Sequence, residues 1–170
     1  MNDALKSLEQ LISMKLFIPG NHETLIKGVC IHRRHVVNDT ETRVYEPKVI
    51  LTVAGRKQTQ MGTSVFSFEP GYCFVTGTYL PTISHHLEAS CQKPYLAVSM
   101  LLDLADIARM GQELRCGGVE LEAGADVAAA AISFPADERL IGAFLRLLEL
   151  EDEPKQRNVL APLILSLIHI

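Results

Sequence analysis

The sequence has no C-x-x-C pair, no apolar run reaching the roughly 18 residues of a membrane span, and no dense block of lysine and arginine. Each absence excludes something. Without paired cysteines a structural zinc site or a thioredoxin-like centre has no ligands, and Cys30, Cys73, Cys91 and Cys116 are scattered as reduced thiols of a reducing compartment would be. With a formal net charge of −4 the chain lacks the basic footprint that phosphate-backbone binding requires, so these residues are not expected to grip nucleic acid. Nor is there a phosphate loop, a G-x-S-x-G, an H-E-x-x-H, or a G-x-G-x-x-G opening a helix. No enzyme and no cofactor is therefore expected. The opening stretch "MNDALKSLEQLISMKLF" is charged and amphipathic, without the apolar core and cleavage site of a signal peptide, so the expected location is cytoplasmic, away from any membrane.

What is present reads as one globular domain. The 170 residues are 48% hydrophobic and 21% charged, enough to bury a core. In residues 1–15, Leu5, Leu8, Leu11 and Ile12 fall at helical spacing behind Asn2 or Asp3, which predicts a short amphipathic helix. From residue 16 to 103 the text changes to short runs rich in Val, Ile, Thr, Phe and Tyr: "VCIHRRHVV", "KVILTVAG", "KQTQMG", "SVFSF", "YCFVTGTY", "TISHHLEAS" and "YLAVSMLL". Turn signals such as "NDTE", "AGRK", "MGT", "EPG" and "QKP" separate them, with Gly62 and Gly71 suited to positive φ. Short strands at near-regular spacing predict an antiparallel barrel or sandwich.

Residues 104–170 read as helical. "DLADIARMGQEL" follows a capping Asp103 and stops at "CGG"; "PADERLIGAFLRLLELED" has acids in its first turn and Leu140, Ile141, Phe144, Leu147 and Leu148 on one stripe. A last helix is expected to start around Asn158 or just before, with Pro162 in its first turn. "VLAPLILSLIHI" is apolar nearly all round and calls for cover, from the barrel, from a second subunit, or from a following domain, as if the chain stopped in mid-element. Leu140, Phe144, Leu147, Leu163 and Leu167 are the candidates for a homodimer contact.

Three stretches in this order and spacing, "VILTVAGRKQTQMG", "FSFEPGYCFVTGTYLPTISHHLEASCQKPYLAVSMLLD" and "LIGAFLRLLELEDEPKQRNVLAPLIL", resemble the N-terminal effector domain of AraC-type transcriptional regulators. The resemblance covers nearly the whole chain, from "LEQLI" to Leu165. It implies a mainly β fold with flanking α, a cupin-like antiparallel β-barrel (a double-stranded β-helix) followed by C-terminal helices, which senses a small-molecule effector or pairs two subunits. It also implies that DNA is bound only through a C-terminal helix-turn-helix part: where the family continues with charged residues and DNA-binding helices, this chain closes with "SLIHI".

Metal-binding cupins carry imidazoles at H-x-H spacing, because alternate residues of a strand share a face. His85 and His86 are adjacent, and His32 and His35 are three apart, so neither pair fits and no metal is expected. On the strand that carries the paired histidines, Ile83, His85, Leu87 and Ala89 form the more apolar face, which predicts His85 inward and Ser84, His86, Glu88 and Ser90 toward water. On another strand Val29, Ile31, Arg33 and His35 fall together, placing His35 at the barrel mouth or at the surface. Arg56 and Lys57, after a buried strand, read either as a contact for an anionic effector or as a solvated turn with an ion pair. His35, Arg56 and His85 are thus the effector-binding candidates. Two classes of function follow: a regulatory domain that shifts an attached DNA-binding unit, or a free-standing metal-dependent cupin enzyme, a dioxygenase or isomerase, which lacks its H-x-H pair.

Overall fold

In the computed structural model, which describes residues 3–37, 40–103, 105, 108, 109, 112 and 131–169, two antiparallel sheets face each other and one of them is backed by helices. Helix α1 (Asp3–Lys15) leads into strands β1 (Gly20–Glu23), β2 (Val29–Arg34), β3 (Thr40–Tyr45), β4 (Lys48–Ala54), β5 (Arg56–Met61), β6 (Ser64–Phe68), β7 (Tyr72–Thr76), β8 (Leu80–Glu88) and β9 (Tyr95–Leu101). Strand β10 (Ala131–Pro135), α2 (Glu138–Glu149), a 3-10 turn (Leu150–Asp152) and α3 (Pro154–His169) complete it. The six-stranded sheet runs β1-β2-β9-β4-β7-β10, and the four-stranded sheet β3-β8-β5-β6.

The six-stranded sheet is apolar on its helix side, and "KVILTVA" of β4 is buried along nearly its whole length because it is covered on both faces. Val49, Leu51 and Val53 of β4, Val98 and Met100 of β9, and Val29 and Ile31 of β2 pack beneath Leu5, Leu8 and Ile12 of α1 and Ile141, Phe144, Leu147 and Leu148 of α2. Burying side chains of this size contributes about 1.5–3 kcal/mol each. The opposite face of the sheet turns inward, where Ile50, Phe74 and Ala97 meet Met61 and Phe68 of the other sheet.

Caps and turns follow local chemistry. Asp137 accepts a hydrogen bond from the Leu140 amide at 2.8 Å and opens α2. Asp103 accepts one from the Ala105 amide at 2.8 Å, while the helix expected at 104–115 lies mostly outside the described residues. Gly62 and Gly71 do take positive φ, 58° and 83°.

Three expectations need correcting. Residues beyond 103 are not all helical: "AISFP" is β10, paired with β7 from Ala131↔Thr76 to Pro135↔Tyr72, a strand too short to show alternation beside the strong helix signal that follows. Helix α3 starts at Pro154, a residue suited to a first helical position, so Pro162 lies in its interior and not in its first turn. Phe144 and Leu147 are fully buried in the chain's own core and present nothing to a second subunit. Of the other dimer candidates, Leu140 is half-buried against that core and Leu163 is 59% exposed, while the side chain of Leu167 lies outside what the structure describes. Among the described residues no helix is long and apolar enough to cross a membrane.

At Gly55 (φ 71°), between β4 and β5, an added Cβ would stand 2.5 Å from the Glu88 carbonyl oxygen and 2.7 Å from Tyr95 Cα, both rigid backbone. Gly55→Ala is expected to destabilise the domain by more than about 2 kcal/mol, combining a positive-φ penalty with displacement of β9. Urea unfolding measures this; a loss under half a kilocalorie would mean that this corner relaxes freely.

Candidate functional site

A cavity of about 300 Å³ opens between the sheets, walled by β1–β2, β3, β4, β5, β8 and β9. On one side of the barrel β6 lies against β7 and β10. On the other, no backbone ladder joins β3 to β2 among the described residues, and the seam is bridged by side chains. Arg34 of β2 donates through Nε to Glu41 Oε1 of β3 at 2.6 Å, through Nη1 to the Gly20 carbonyl at 2.8 Å, and through Nη2 to Asn21 Oδ1 at 2.8 Å. Glu41 also meets Arg43 Nε at 3.3 Å. The cavity lies behind this seam.

Strand alternation explains who faces inward. In β2, Val29, Ile31 and Arg33 are buried, the first two against the helices, while His32 and Arg34 face the cavity. In β5, Lys57, Thr59 and Met61 are buried and Arg56 and Gln60 are exposed. In β8, Leu80, Thr82, Ser84 and His86 are buried, and register sets Lys57 opposite His86 and Thr59 opposite Ser84. Thr59 and Ser84 share a hydrogen bond at 2.9 Å.

Lys57 is the centre of this wall. Its ammonium, on a residue only 8% exposed, donates to Tyr45 Oη at 2.5 Å and lies 5.3 Å from the Tyr45 ring, 5.1 Å from Phe68 and 5.8 Å from Tyr95. Among the described residues no carboxylate comes within 4.0 Å of it. Burial alone would favour the neutral amine, but the Tyr45 and Tyr95 oxygens outweigh it, and the pKa of Lys57 is raised. A charged amine thus sits in an aromatic cage on the cavity wall, with the Tyr45 oxygen as its hydrogen-bond acceptor among the described residues.

His32 bridges Asn21 Oδ1 at 2.9 Å and Ser99 Oγ at 2.7 Å. Burial, followed by the charges of Lys57 and Arg34, lowers its pKa from 6.5 to about 3, so the ring is neutral. For Glu41, burial works upward but is overcome by the Arg34 hydrogen bond and the Arg34 and Arg43 charges, leaving its pKa at about 2.

None of the three candidates predicted from sequence lines the cavity. His85 points outward toward Thr40 Oγ1 at 3.2 Å, and His86, expected in water, points inward at 1% exposure with its ring 5.0 Å from Tyr95. The prediction was inverted because the interior at this end is polar, while the outward face of β8 carries exposed Ile83 and Leu87. Arg56 is on the outside, 3.6 Å from Glu88, which is the turn-and-ion-pair alternative; its neighbour Lys57 is the residue that faces in. His35 follows the end of β2 and accepts a hydrogen bond from Arg33 Nε at 2.7 Å. Sequence reasoning missed His32, Arg34 and Tyr45. Among the described residues no group of three or more His, Cys, Asp or Glu is placed to hold a metal ion.

Residues 25–170 match the family model described as the AraC-type transcriptional regulator N-terminus. The chain belongs to that family. No curated protein sequence matches it. Among solved structures, ToxT from Vibrio cholerae has the same fold, with a TM-score of 0.51 at 6% identity over 71% of this chain and 46% of ToxT. ToxT with a bound unsaturated fatty acid gives 0.46 at 8% identity over 81% and 50%, and the AraC-like transcriptional activator CuxR 0.47 at 13% over 83% and 49%. The chain therefore spans about half the length of these proteins. The barrel of this AraC-type domain is cupin-like, two antiparallel sheets face to face with helices on one outer side.

Acid should weaken the fold through its cavity. His32 is neutral when folded but takes up a proton below 6.5 when unfolded, so its contribution is complete above pH 6.5 and is lost as pH falls from there toward 3. Glu41, depressed from 4.5 to about 2, adds to the loss below pH 4.5. Stability from urea unfolding is expected to drop by up to about 1.4 kcal/mol per pH unit between pH 6 and 4.5, and His32→Gln should flatten that slope. An unaltered slope in the variant would assign the effect to another group.

Proposed function

We propose that this chain is the sensory part of a transcriptional regulator, and that its barrel takes up a small anionic effector. The carrying observation is Lys57: a charged amine inside the barrel, caged by rings and facing a cavity, with no carboxylate partner among the described residues. A buried charge without a counter-ion is costly, and an acidic ligand supplies one together with hydrogen bonds. ToxT, which shares the fold, has been seen with a fatty acid, also a carboxylic acid, although the cavity here carries far more charge than a fatty chain would require. In this reading DNA is bound by a helix-turn-helix part of the full regulator, and helices α2 and α3 pass on the state of the barrel. A cytoplasmic setting follows from that role.

We further propose that two copies associate through the outer side of α3, where Val159 and Leu163, one turn apart, are 65% and 59% exposed. The enzyme alternative has no comparable observation in its favour.

The test is a thermal-shift screen of small organic acids against neutral sugars and alcohols, on the wild type and on Lys57→Met. An acid at a hundredfold its Kd should add about 2.7 kcal/mol to stability. Lys57→Met, which exchanges a buried charge for an apolar side chain of similar length, should stay folded and bind that acid roughly 10–100-fold more weakly. Neutral compounds stabilising both proteins equally would sink the anionic reading. For association, Leu163→Glu is expected to shift sedimentation from dimer to monomer at micromolar concentration; a persisting dimer would send the contact elsewhere.

A further inference from the structure

Lys57 is not the cavity's sole lysine. Lys48, at the start of β4, also lines it, and its Nζ lies 5.4 Å from the same Tyr45 ring centroid from which Lys57 Nζ lies 5.3 Å. Both ammonium groups therefore lie near one tyrosine ring, no further apart than those two distances combined, a span that a chain of a few carbons bridges. The arginines differ from them. Arg34 has its hydrogen bonds taken by Glu41, Gly20 and Asn21, and Arg43 pairs with Glu41, so the cavity's partly buried carboxylate is committed to guanidinium groups. Glu46, the other acid on the lining, is exposed at the rim, and among the described residues neither it nor any other carboxylate pairs with Lys48 within 4.0 Å.

A ligand with one acidic group neutralises one lysine and leaves the other facing a partly desolvated space, which disfavours closure around it. We infer that the effector is a small dianion, with one acidic group held by Lys57 and the Tyr45 hydroxyl and a second held by Lys48. This rests on the reading of the barrel as an anion-sensing site and adds the number and placement of the charges. Two carboxylates, or a carboxylate and a phosphate, satisfy it. Discrimination against a monoanion of the same shape follows from the lysine left without a partner, as a site built for a polar group rejects the analogue that lacks it.

The deciding experiment does not require the natural effector. Crystals of the wild-type chain soaked in sodium bromide, with anomalous data collected at the bromine edge, are expected to show two anion peaks, one touching Lys57 Nζ and Tyr45 Oη and one touching Lys48 Nζ. Lys48→Met should lose the second peak and keep the first. In solution, the dicarboxylates from succinate to suberate are to be compared by calorimetry with their monomethyl esters, and the best diacid should bind at least about tenfold more tightly than its ester, an advantage that Lys48→Met abolishes. A single peak at Lys57, or a second peak that survives Lys48→Met, overturns the dianion and leaves the anionic reading intact. No peak at Lys57 overturns both.

Discussion

Holding an ammonium group between two sheets is the most demanding constraint in this fold, and the wall around the cavity is arranged to meet it. Lys57 loses its water shell, a penalty of several kcal/mol if nothing replaces it. Three aromatic faces and the Tyr45 oxygen replace part of that shell, and the three rings come from β3, β6 and β9, strands of both sheets. Phe74 of β7, 4.8 Å from Phe68 and 6.3 Å from Tyr45, holds two of the cage rings from behind. The cage thus ties the two sheets together, while the Arg34–Glu41 bridge spans the seam between β2 and β3. What remains between them is a charged cavity.

The two faces of the six-stranded sheet therefore obey different rules. Toward the helices it is apolar but for Arg33 at the end of β2, and the packing of α1 and α2 supplies stability. Toward the cavity the same strands present His32, Arg34 and Lys48 together with Ile50. Period-two alternation permits this division of labour within a single strand: adjacent Arg33 and Arg34 of β2 point to opposite sides, Arg33 reaching the Leu16 carbonyl just past α1 and Arg34 the cavity seam.

The same division explains what could be read from the sequence. "KVILTVA", buried on both faces, and the α2 stripe announce themselves because burial and apolar character coincide there. In β8 the coincidence fails: apolar Ile83 and Leu87 face water, and polar Thr82, Ser84 and His86 face in, so choosing the more apolar side selects the wrong one. Register would have reversed the choice, because Lys57 is opposite His86, but β5 and β8 are not consecutive, so no connecting turn reveals their register in the sequence. Arg56 and Lys57 carried a usable signal: adjacent strand residues must diverge, so at most one of them could be solvated by the turn. Phe144 and Leu147 were misplaced for the opposite reason, since an apolar stripe announces burial without naming what covers it.

Sensing requires that a ligand prefer one arrangement of the chain over another, so the question is where cavity and helices share a part that can move. The structure offers a short mechanical path. Arg34 grips the carbonyl of Gly20 and the side chain of Asn21 in β1; the turn after β1 donates the Leu25 amide to Glu151 at 3.0 Å; and Lys15, at the end of α1, pairs with Glu151 at 3.4 Å and with Asp152 at 2.5 Å in the turn between α2 and α3. These ion pairs are partly exposed and individually weak, of the order of 1 kcal/mol or less. That weakness suits a relay, because a link much stronger than a ligand's differential affinity could not be shifted by it. An anion that draws Arg34 from Glu41 would alter the grip on β1, and the turn after β1 is linked through Glu151 to the turn from which α3 departs.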